Sequence, residues 1–359
     1  MKLITQPADG TAPVLKAIKQ AKKSIQIVIF RLDQAEIAHA LEDAAGQGVA
    51  VHALIAFTNR GGEKNLRRLE MRFLEKGITV ARTADDLVRY HGKMMLIDGK
   101  ELYLLTYNFT RLDSRSRSFG VITKNRALVQ EATRLFEADT TRQTFISRCN
   151  KLVVSPVNAR KRLAAFLQGA KRELLIYDVD VSDKEMLRIL EERCQTGVRI
   201  QMIGHVSASK RLMARSLRKM RLHTRVVIRD GKQAFLGSQS LRKLELDARR
   251  EIGIVVNSPK IISAMTAIFQ DDWKASVPHD ERAAKKHISA IADRASRKVA
   301  KEVAKKLKPE PVVKHVVEAI QAEAKIAVDP AEAVEVVEGT LKKAVKKAAA
   351  KIVEEALAR

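Results

Sequence analysis

The chain has 359 residues, with 67 Lys+Arg against 42 Asp+Glu and a formal net charge of +25. That length suits about two globular domains, or one two-lobed unit with an appendage, and 46% hydrophobic residues supply a core and exclude a wholly disordered chain. Two cysteines, Cys149 and Cys194, exclude a disulfide framework and a cysteine-rich zinc site, and no apolar stretch approaches the ~20 residues of a membrane span.

The N-terminal MKLITQPADG reaches Pro7, Asp9 and Gly10 before any apolar run suited to a signal peptide. The expectation is a soluble, cytoplasmic protein whose contact with a membrane would be peripheral at most. Ile25–Phe30 reads as a strand, Glu36–Ala45 as a helix, and Gly48–Val51 as the opening of a second strand. Asn59-Arg60-Gly61-Gly62-Glu63 reads as a loop without phosphate-cradle spacing. Arg67, Arg68 and Arg72, on the helix after it, read as a solvated face.

The same order then recurs. Leu174–Tyr177 is strand-like, a helix spans about Glu185 to Arg193, and Gly197–Ile200 opens another strand. The offset is 149 at Glu36/Glu185, Leu41/Leu190 and Gly48/Gly197. It shortens to 132 at His91/His223, Asp98/Asp230 and Gly99/Gly231, and is 133 at Gly120/Gly253 and Phe136/Phe269. Alternating strand and helix patterns in both copies predict an α/β fold of two tandem sandwich halves with mixed sheets flanked by helices. The boundary falls near Ser155-Pro156, giving halves at 1–150 and 151–280 with an extension at 281–359. A pseudo-twofold relation would set equivalent residues face to face at the junction. The run from Lys210-Arg211 to Arg218-Lys219 and Arg221 reads as a basic helix leading into His223.

All fifteen aromatic residues lie at or before Trp273. Beyond them, Ile288, Ile291, Ala295, Val299 and Val303 recur at helical spacing. Pro309 and Pro311 end that helix, and two more stretches follow near 312–326 and 331–357. Lys342, Lys343, Lys346 and Lys347 share one helical face suited to nucleic acid or anionic lipid, while the apolar faces suit self-association. Residues 281–359 hold only 18 Lys+Arg and 12 Asp+Glu, so 1–280 carries most of the positive charge. A basic folded part attracts polyanions.

The chemistry lies in the duplicated segments His91-Gly-Lys93-x4-Asp98-Gly99 and His223-Thr-Arg225-x4-Asp230-Gly231. In an extended run, residues two apart share a face. Each imidazole therefore stands beside a fixed cation, as phosphate chemistry requires: a group to attack or protonate, and a charge for the non-bridging oxygens. Composition alone allows roughly 0.07 chance matches to His-x-[Lys/Arg]-x4-Asp, whereas this chain has two, in one repeat register.

This arrangement resembles the phospholipase D superfamily over roughly residues 1–280. The family usually follows its motif with Gly-Ser-x-Asn and then a carboxylate. Here the first half has Thr106, Asn108 and Thr110 around Leu105-Thr-Tyr-Asn-Phe-Thr110, and the second has Gly237-Ser238-Gln-Ser240 followed by Glu251. The resemblance implies a metal-independent, cofactor-free phosphodiesterase working through a covalent phosphohistidine. His91 would be the nucleophile and His223 the acid and base. Lys93 and Arg225 would clamp the phosphoryl oxygens, and Asn108, Ser240, Thr106 and Ser238 would line the pocket. Asp98 and Asp230 close their strands and are expected to brace the loops.

Three departures stand out. Arg225 replaces the usual Lys, Ser240 the usual Asn, and Ser118 stands where a carboxylate is expected in the first half. If the carboxylate acts across the halves, Glu251 serves His91 and His223 is left without an orienting partner. These changes read as drift in the second half. Lone His39, His52 and His205 read as packing or surface residues. The leading expectation is a phosphodiesterase acting on nucleic acid or phospholipid, by hydrolysis or transfer. Charge favours nucleic acid, and the absence of hydrophobic anchoring segments disfavours the lipid transferases. The alternative is a weak or inactive module that binds nucleic acid or anionic phosphate groups.

Overall fold

The computed structural model describes residues 1–57, 63–207, 209, 211–278 and 348. Met1–His279 form one unit and Asp280–Arg359 a second. The helices expected in 281–359, the lysine face at 342–347, the Gly61-Gly62 loop and Lys210 lie outside the described residues.

The first half runs β1 (Lys2–Gln6), α1 (Ala12–Gln20), β2 (Ser24–Ile29), α2 (Ala35–Gly46), β3 (Ala50–Ile55), α3 (Glu63–Glu75), β4 (Thr79–Arg82), β5 (Arg89–Tyr90), β6 (Met94–Ile97), β7 (Glu101–Leu105), β8 (Ser116–Thr123) and α4 (Arg126–Thr141). The second runs β9 (Leu152–Val154), α5 (Ala159–Gln168), β10 (Glu173–Val181), α6 (Lys184–Gln195), β11 (Arg199–Val206), β12 (Ala214–Ser216), β13 (Arg221–Leu222), β14 (Arg225–Arg229), β15 (Gln233–Gly237), α7 (Lys243–Asp247), β16 (Arg249–Arg250), β17 (Ile252–Val256), α8 (Pro259–Ala275) and β18 (Val277–Pro278).

The two sheets share one strand order. The first is β1-β8-β7-β6-β2-β3-β4, and the second, read from its other edge, is β9-β17-β15-β14-β10-β11-β12-β18. Parallel β2–β3 and β10–β11 adjoin antiparallel hairpins β6–β7 and β14–β15, so both sheets are mixed. Between β3 and β4 lies α3, whereas the connection from β11 to β12 is shorter and has no helix among its described residues. That difference produces the shortened repeat register.

Strand alternation explains the layers. Met94, Leu96, Leu102 and Leu104 of the first sheet join Val226, Ile228, Ala234 and Leu236 of the second in one central core, filled by Phe136 of α4 and Phe269 of α8. The intervening Met95 and Ile97 instead pack with Ile37 and Leu41 of α2, and Val227 and Phe235 pack with Met186 and Leu190 of α6. Both faces of each sheet are therefore covered. Local signals fit: Asn125 accepts the Leu128 amide to cap α4, and Asp183 accepts the Glu185 and Met186 amides to cap α6.

The basic segment before His223 is not a helix. Ser209 Oγ accepts the Arg211 and Leu212 amides, Leu212 and Ala214 are buried, and β12 lies between β11 and β18. An alternating inward pattern outweighs helix propensity here. Among the described residues no helix is long and apolar enough to cross a membrane.

Candidate active site

Two short parallel ladders join the halves beside the site. β5 pairs with β16, Tyr90 opposite Arg250, and β13 pairs with β8, Leu222 opposite Arg117. Each ladder ends on a motif histidine: the His91 amide donates to Arg250 C=O (2.7 Å), and the His223 amide donates to Arg117 C=O (3.0 Å). The histidines thus enter their strands from pairings with the opposite half.

Each imidazole is then gripped by a carboxylate from that opposite half. His91 Nδ1 is 2.8 Å from Glu251 Oε2, and His223 Nδ1 is 2.8 Å from Asp113 Oδ1. Both residues are buried, at 8% and 6% exposure, and neither Nε2 has a hydrogen-bond partner among the described residues. A proton held on Nδ1 leaves the Nε2 lone pair available.

Asp113 corrects the expectation that His223 lacks a partner. Ser118, at the position matching Glu251, donates instead to His223 C=O (3.2 Å). The carboxylate comes from the 3-10 turn Asp113–Arg115, where Asp113 Oδ2 also accepts the Thr110 amide (3.2 Å) and hydroxyl. Sequence reasoning missed this residue by looking only at the position aligned with Glu251. The repeat held a signal, because Asp113 aligns at offset 132 with Glu245, another buried carboxylate of the site.

The other two departures interlock. Arg225 Nε donates to Ser240 Oγ (2.9 Å), the Ser240 amide donates to Glu245 Oε2 (2.6 Å), and Arg225 Nη2 lies 3.7 Å from that same oxygen. A short Ser240 leaves room for a planar guanidinium and supplies its acceptor. These contacts form a fitted set in which the two departures accommodate each other. Arg225 Nη1 and Asn108 Oδ1 remain buried without hydrogen-bond partners among the described residues. Lys93, only 1% exposed, donates through Nζ to His91 C=O (2.6 Å) and lies 5.3 Å from the centre of the Phe30 ring. The Phe30 edge meets the His91 ring at 4.5 Å between centroids. Phe30 is a second residue missed in the sequence, where it reads only as a strand end.

Electrostatics couple the two halves. Burial holds His91 well below its ordinary value, with Lys93, Arg225 and His223 adding to the depression and Glu245 opposing it. Burial also brings His223 down to about 4, against the Asp113 hydrogen bond and with help from Arg225 and Arg221. Lys93 falls to about 7, mainly by burial, with Arg225 adding and Glu251 opposing. Burial raises Glu251, with Lys93 and Arg225 opposing. Arg225 therefore acts on both histidines, Lys93 and Glu251. The site without an anion favours neutral imidazoles, and an anion would reverse much of that bias.

The remaining sequence-predicted residues divide. Thr106 Oγ1 donates to Phe119 C=O and accepts its amide, and Ser238 Oγ does the same with Ile252 (2.9–3.4 Å). With 0% exposure, these hydroxyls brace strands and do not line an open pocket, contrary to expectation. Asp98 accepts the Lys22, Lys23 and Ser24 amides, and Asp230 accepts those of Lys171, Arg172 and Glu173. Both have φ near +54° and precede a left-handed Gly99 or Gly231, in turns closed by Lys100 and Lys232. They lie at the strand ends remote from the histidines and brace the loops. His205, read as lacking companions, pairs through Nδ1 with Asp180 at 2.8 Å.

A family model described as "Cardiolipin synthase, PLD-like domain" matches residues 14–140 and 163–273, one block in each half. Curated relatives include a polyphosphate kinase of Pseudomonas syringae pv. tomato, 26% identical over 295 residues, covering 72% of this chain and 40% of the relative. Another, of Prosthecochloris aestuarii, is 26% identical over 317 residues, covering 76% and 44%. The chain thus spans less than half the length of these relatives. Among solved structures, a polyphosphate kinase from Porphyromonas gingivalis aligns with TM-score 0.64 and 21% identity, over 76% of this chain and 50% of that one. A phosphatidylserine synthase from Haemophilus influenzae aligns with TM-score 0.61 and 11% identity, over 77% and 87%. With both halves matched and both motifs in one repeat register, the chain belongs to the phospholipase D superfamily.

Proposed function

We propose that the chain is a phosphoryl-group enzyme that works through a covalent phosphohistidine on His91. The observation that carries this reading is the pair of imidazoles, each held at Nδ1 by a carboxylate of the opposite half and each with no Nε2 partner among the described residues. Neutral His91 attacks phosphorus through Nε2 while Glu251 holds its Nδ1 proton. The bond from phosphorus to the leaving oxygen breaks, and that oxygen takes a proton from Nε2 of His223, held at Nδ1 by Asp113. Lys93 and Arg225 offset charge on the non-bridging oxygens. Water or an acceptor hydroxyl then loses a proton to His223 and attacks phosphorus. The P–N bond breaks, and His91 leaves with its original protonation.

The acid form of His223 is scarce before substrate binds, because burial and Arg225 disfavour its charge. A bound phosphate anion offsets Arg225 and so supplies the reason for His223 to protonate. The spare Arg225 Nη1 favours an oxygen-rich phosphoryl group over one shielded by two bulky esters. Relatives named for polyphosphate and phosphatidylserine chemistry extend the choice beyond hydrolysis of nucleic acid or lipid, and their names denote transfer. The fitted Ser240–Arg225 pair and the Asp113 partner give the inactive-module reading less support.

The test is a panel of labelled polyphosphate, single-stranded DNA, RNA and phosphatidyl lipids, incubated with the chain and quenched in alkali. A label retained on wild type and lost in His91→Ala supports the reading and identifies the substrate class. Intact substrates throughout, with unlabelled protein, overturn it.

A further inference from the structure

The residue that receives each catalytic amide is an arginine, and both arginine side chains run into the protein interior. Arg117 Nε and Nη2 make a two-pronged pair with Asp272 of α8 (2.6 and 2.9 Å), while Nη1 donates to Gln6 C=O (2.9 Å). Tyr177 adds a hydrogen bond to the same Asp272 oxygen (2.6 Å). Arg250 Nε pairs with Asp139 of α4 (3.1 Å), its Nη1 donates to Ser155 C=O (3.1 Å), and its guanidinium lies 5.6 Å from the Tyr90 ring centre. Arg117 and Arg250, like Asp139 and Asp272, are 133 positions apart, so both pairs belong to the repeat. In each pair the arginine and the aspartate come from opposite halves.

Continuity along the backbone links these pairs to the chemistry. Arg250 offers its carbonyl to His91 and is followed by Glu251, which holds the His91 ring. Arg117 offers its carbonyl to His223 and is followed by Ser118, which holds the His223 carbonyl. We propose that Arg250–Asp139 and Arg117–Asp272 are positioning residues, each fixing one histidine from the central helix of the half that contains its aspartate. The proposal goes beyond the phosphohistidine reading and rests on it for the roles of the two rings. A pair that served only cohesion of the core would disturb both histidines alike. A positioning pair disturbs one.

The Arg250 pair acts on both the amide and the ring partner of His91, whereas the Arg117 pair acts on the backbone of His223 alone, its ring being held by Asp113. Loss of the first pair should therefore do more harm. Asp139 is pushed up to about 6, chiefly by burial, with Arg250 opposing and Asp86 adding. An Asn at 139 keeps an acceptor but leaves the buried Arg250 charge unbalanced, so the charge-free double variant is the one that tests geometry with a limited demand on folding.

The experiment uses the full chain with ring-labelled histidines, in wild type, Asp139→Asn, Asp272→Asn and the charge-free double variant Arg250→Met/Asp139→Leu. Long-range proton–nitrogen spectra report the ring nitrogens of each histidine without any substrate. The expected result is that Asp139→Asn and the double variant shift the His91 signals alone, and Asp272→Asn shifts those of His223 alone. With the substrate found above, Asp139→Asn slows phosphoenzyme formation, and Asp272→Asn slows both steps that move a proton through His223, leaving only slower breakdown when the leaving group needs no proton, each roughly 10- to 100-fold. Unchanged ring signals in folded variants, or equal disturbance of both rings, overturn the proposal. If Asp139→Asn fails to fold, the double variant decides. Selective ring shifts in a chain that turns over no substrate would leave positioning intact and reject the phosphohistidine reading instead.

Discussion

The first half sets a lysine beside its motif histidine and borrows its carboxylate from a strand start, while the second sets an arginine there and borrows from a 3-10 turn. Glu251 directly follows the Arg250 carbonyl that holds His91, so one stretch of backbone sets both partners of that residue. On the other side the two tasks are separated between Arg117 and Asp113. The same strand order tolerates both solutions because a ring nitrogen needs an acceptor at about 2.8 Å, and does not depend on which turn delivers it. Two copies of a half can therefore diverge in sequence while conserving a geometry.

The largest way to break this comparison is to remove the rings. His91→Ala should abolish the phosphoenzyme and lower turnover at least ~10⁴-fold, as for other covalent catalysts. His223→Ala should lower turnover similarly, yet let label accumulate on His91 with an activated leaving group that needs no proton. Quantifying alkali-stable label separates them.

Carboxylate removal follows. Asp113→Asn should lower turnover by roughly 10³-fold, because the amide no longer fixes the Nδ1 proton or stabilises the cation. With a leaving group that needs no proton, Glu251→Gln should act through slower labelling, and Asp113→Asn through slower release of label. Rapid-quench time courses read the split. Full activity in Asp113→Asn would return the site to one carboxylate.

A finer test restores the residues usual in the superfamily. Arg225→Lys leaves Ser240 Oγ without its donor, and Ser240→Asn crowds the guanidinium, so each single change should cost roughly 10-fold or more. The double variant should recover much of the loss, giving coupling of about 1 kcal/mol or more in a mutant cycle. Strict additivity would show that the two side chains do not act as a fitted pair.

Proton linkage offers a smaller effect. Sulfate does not titrate near neutrality, and its binding should offset the cations that keep His91 and His223 neutral and Lys93 near 7. The bound state then holds more protons, so affinity should strengthen as pH falls from about 8 toward 5. Calorimetry in buffers of different ionisation enthalpy should show proton uptake. Release in place of uptake would contradict the assigned environment.

The smallest effect on chemistry belongs to the loop braces. Asp98→Ala loses three amide contacts and strains a φ of +53°, which should cost roughly 2–3 kcal/mol of stability. Burial opposes ionisation of Asp98, but the Ser24, Lys23 and Lys22 amides overcome it and hold the group below its ordinary value. The folded state therefore binds its proton less readily than the unfolded chain. This contribution is present above the usual carboxylate range and is lost as pH falls through it. Thermal melts against pH should show the gap to wild type narrowing in acid to the part due to backbone strain, which does not titrate, with turnover per folded molecule unchanged.

Much of this was legible in the sequence because duplication writes each feature twice. The motif histidines, the sheet halves and the turn aspartates all follow from register and alternation. What escaped depended on distance in space. Asp113 was overlooked because Ser118 occupied the expected place; its alignment with Glu245 marks it, but nothing local shows that a turn five residues earlier reaches His223. Arg225 and Ser240 each looked like loss until their contact at 2.9 Å was visible. The basic run before His223 misled because seven cations between 210 and 225 mask the buried Leu212 and Ala214.

The two short ladders, β5 with β16 and β13 with β8, carry a consequence for how such a molecule can be assembled. A chain cut between Arg142 and Lys151 would separate every reacting ring from its acid. Fragment complementation should then restore turnover with second-order dependence on the pieces, and an excess of one piece should saturate the other. Mixing fragments that carry opposite lesions, one at Glu251 and one at Asp113, would place both faults in the same reconstituted particle and leave no crossed pairing to rescue it.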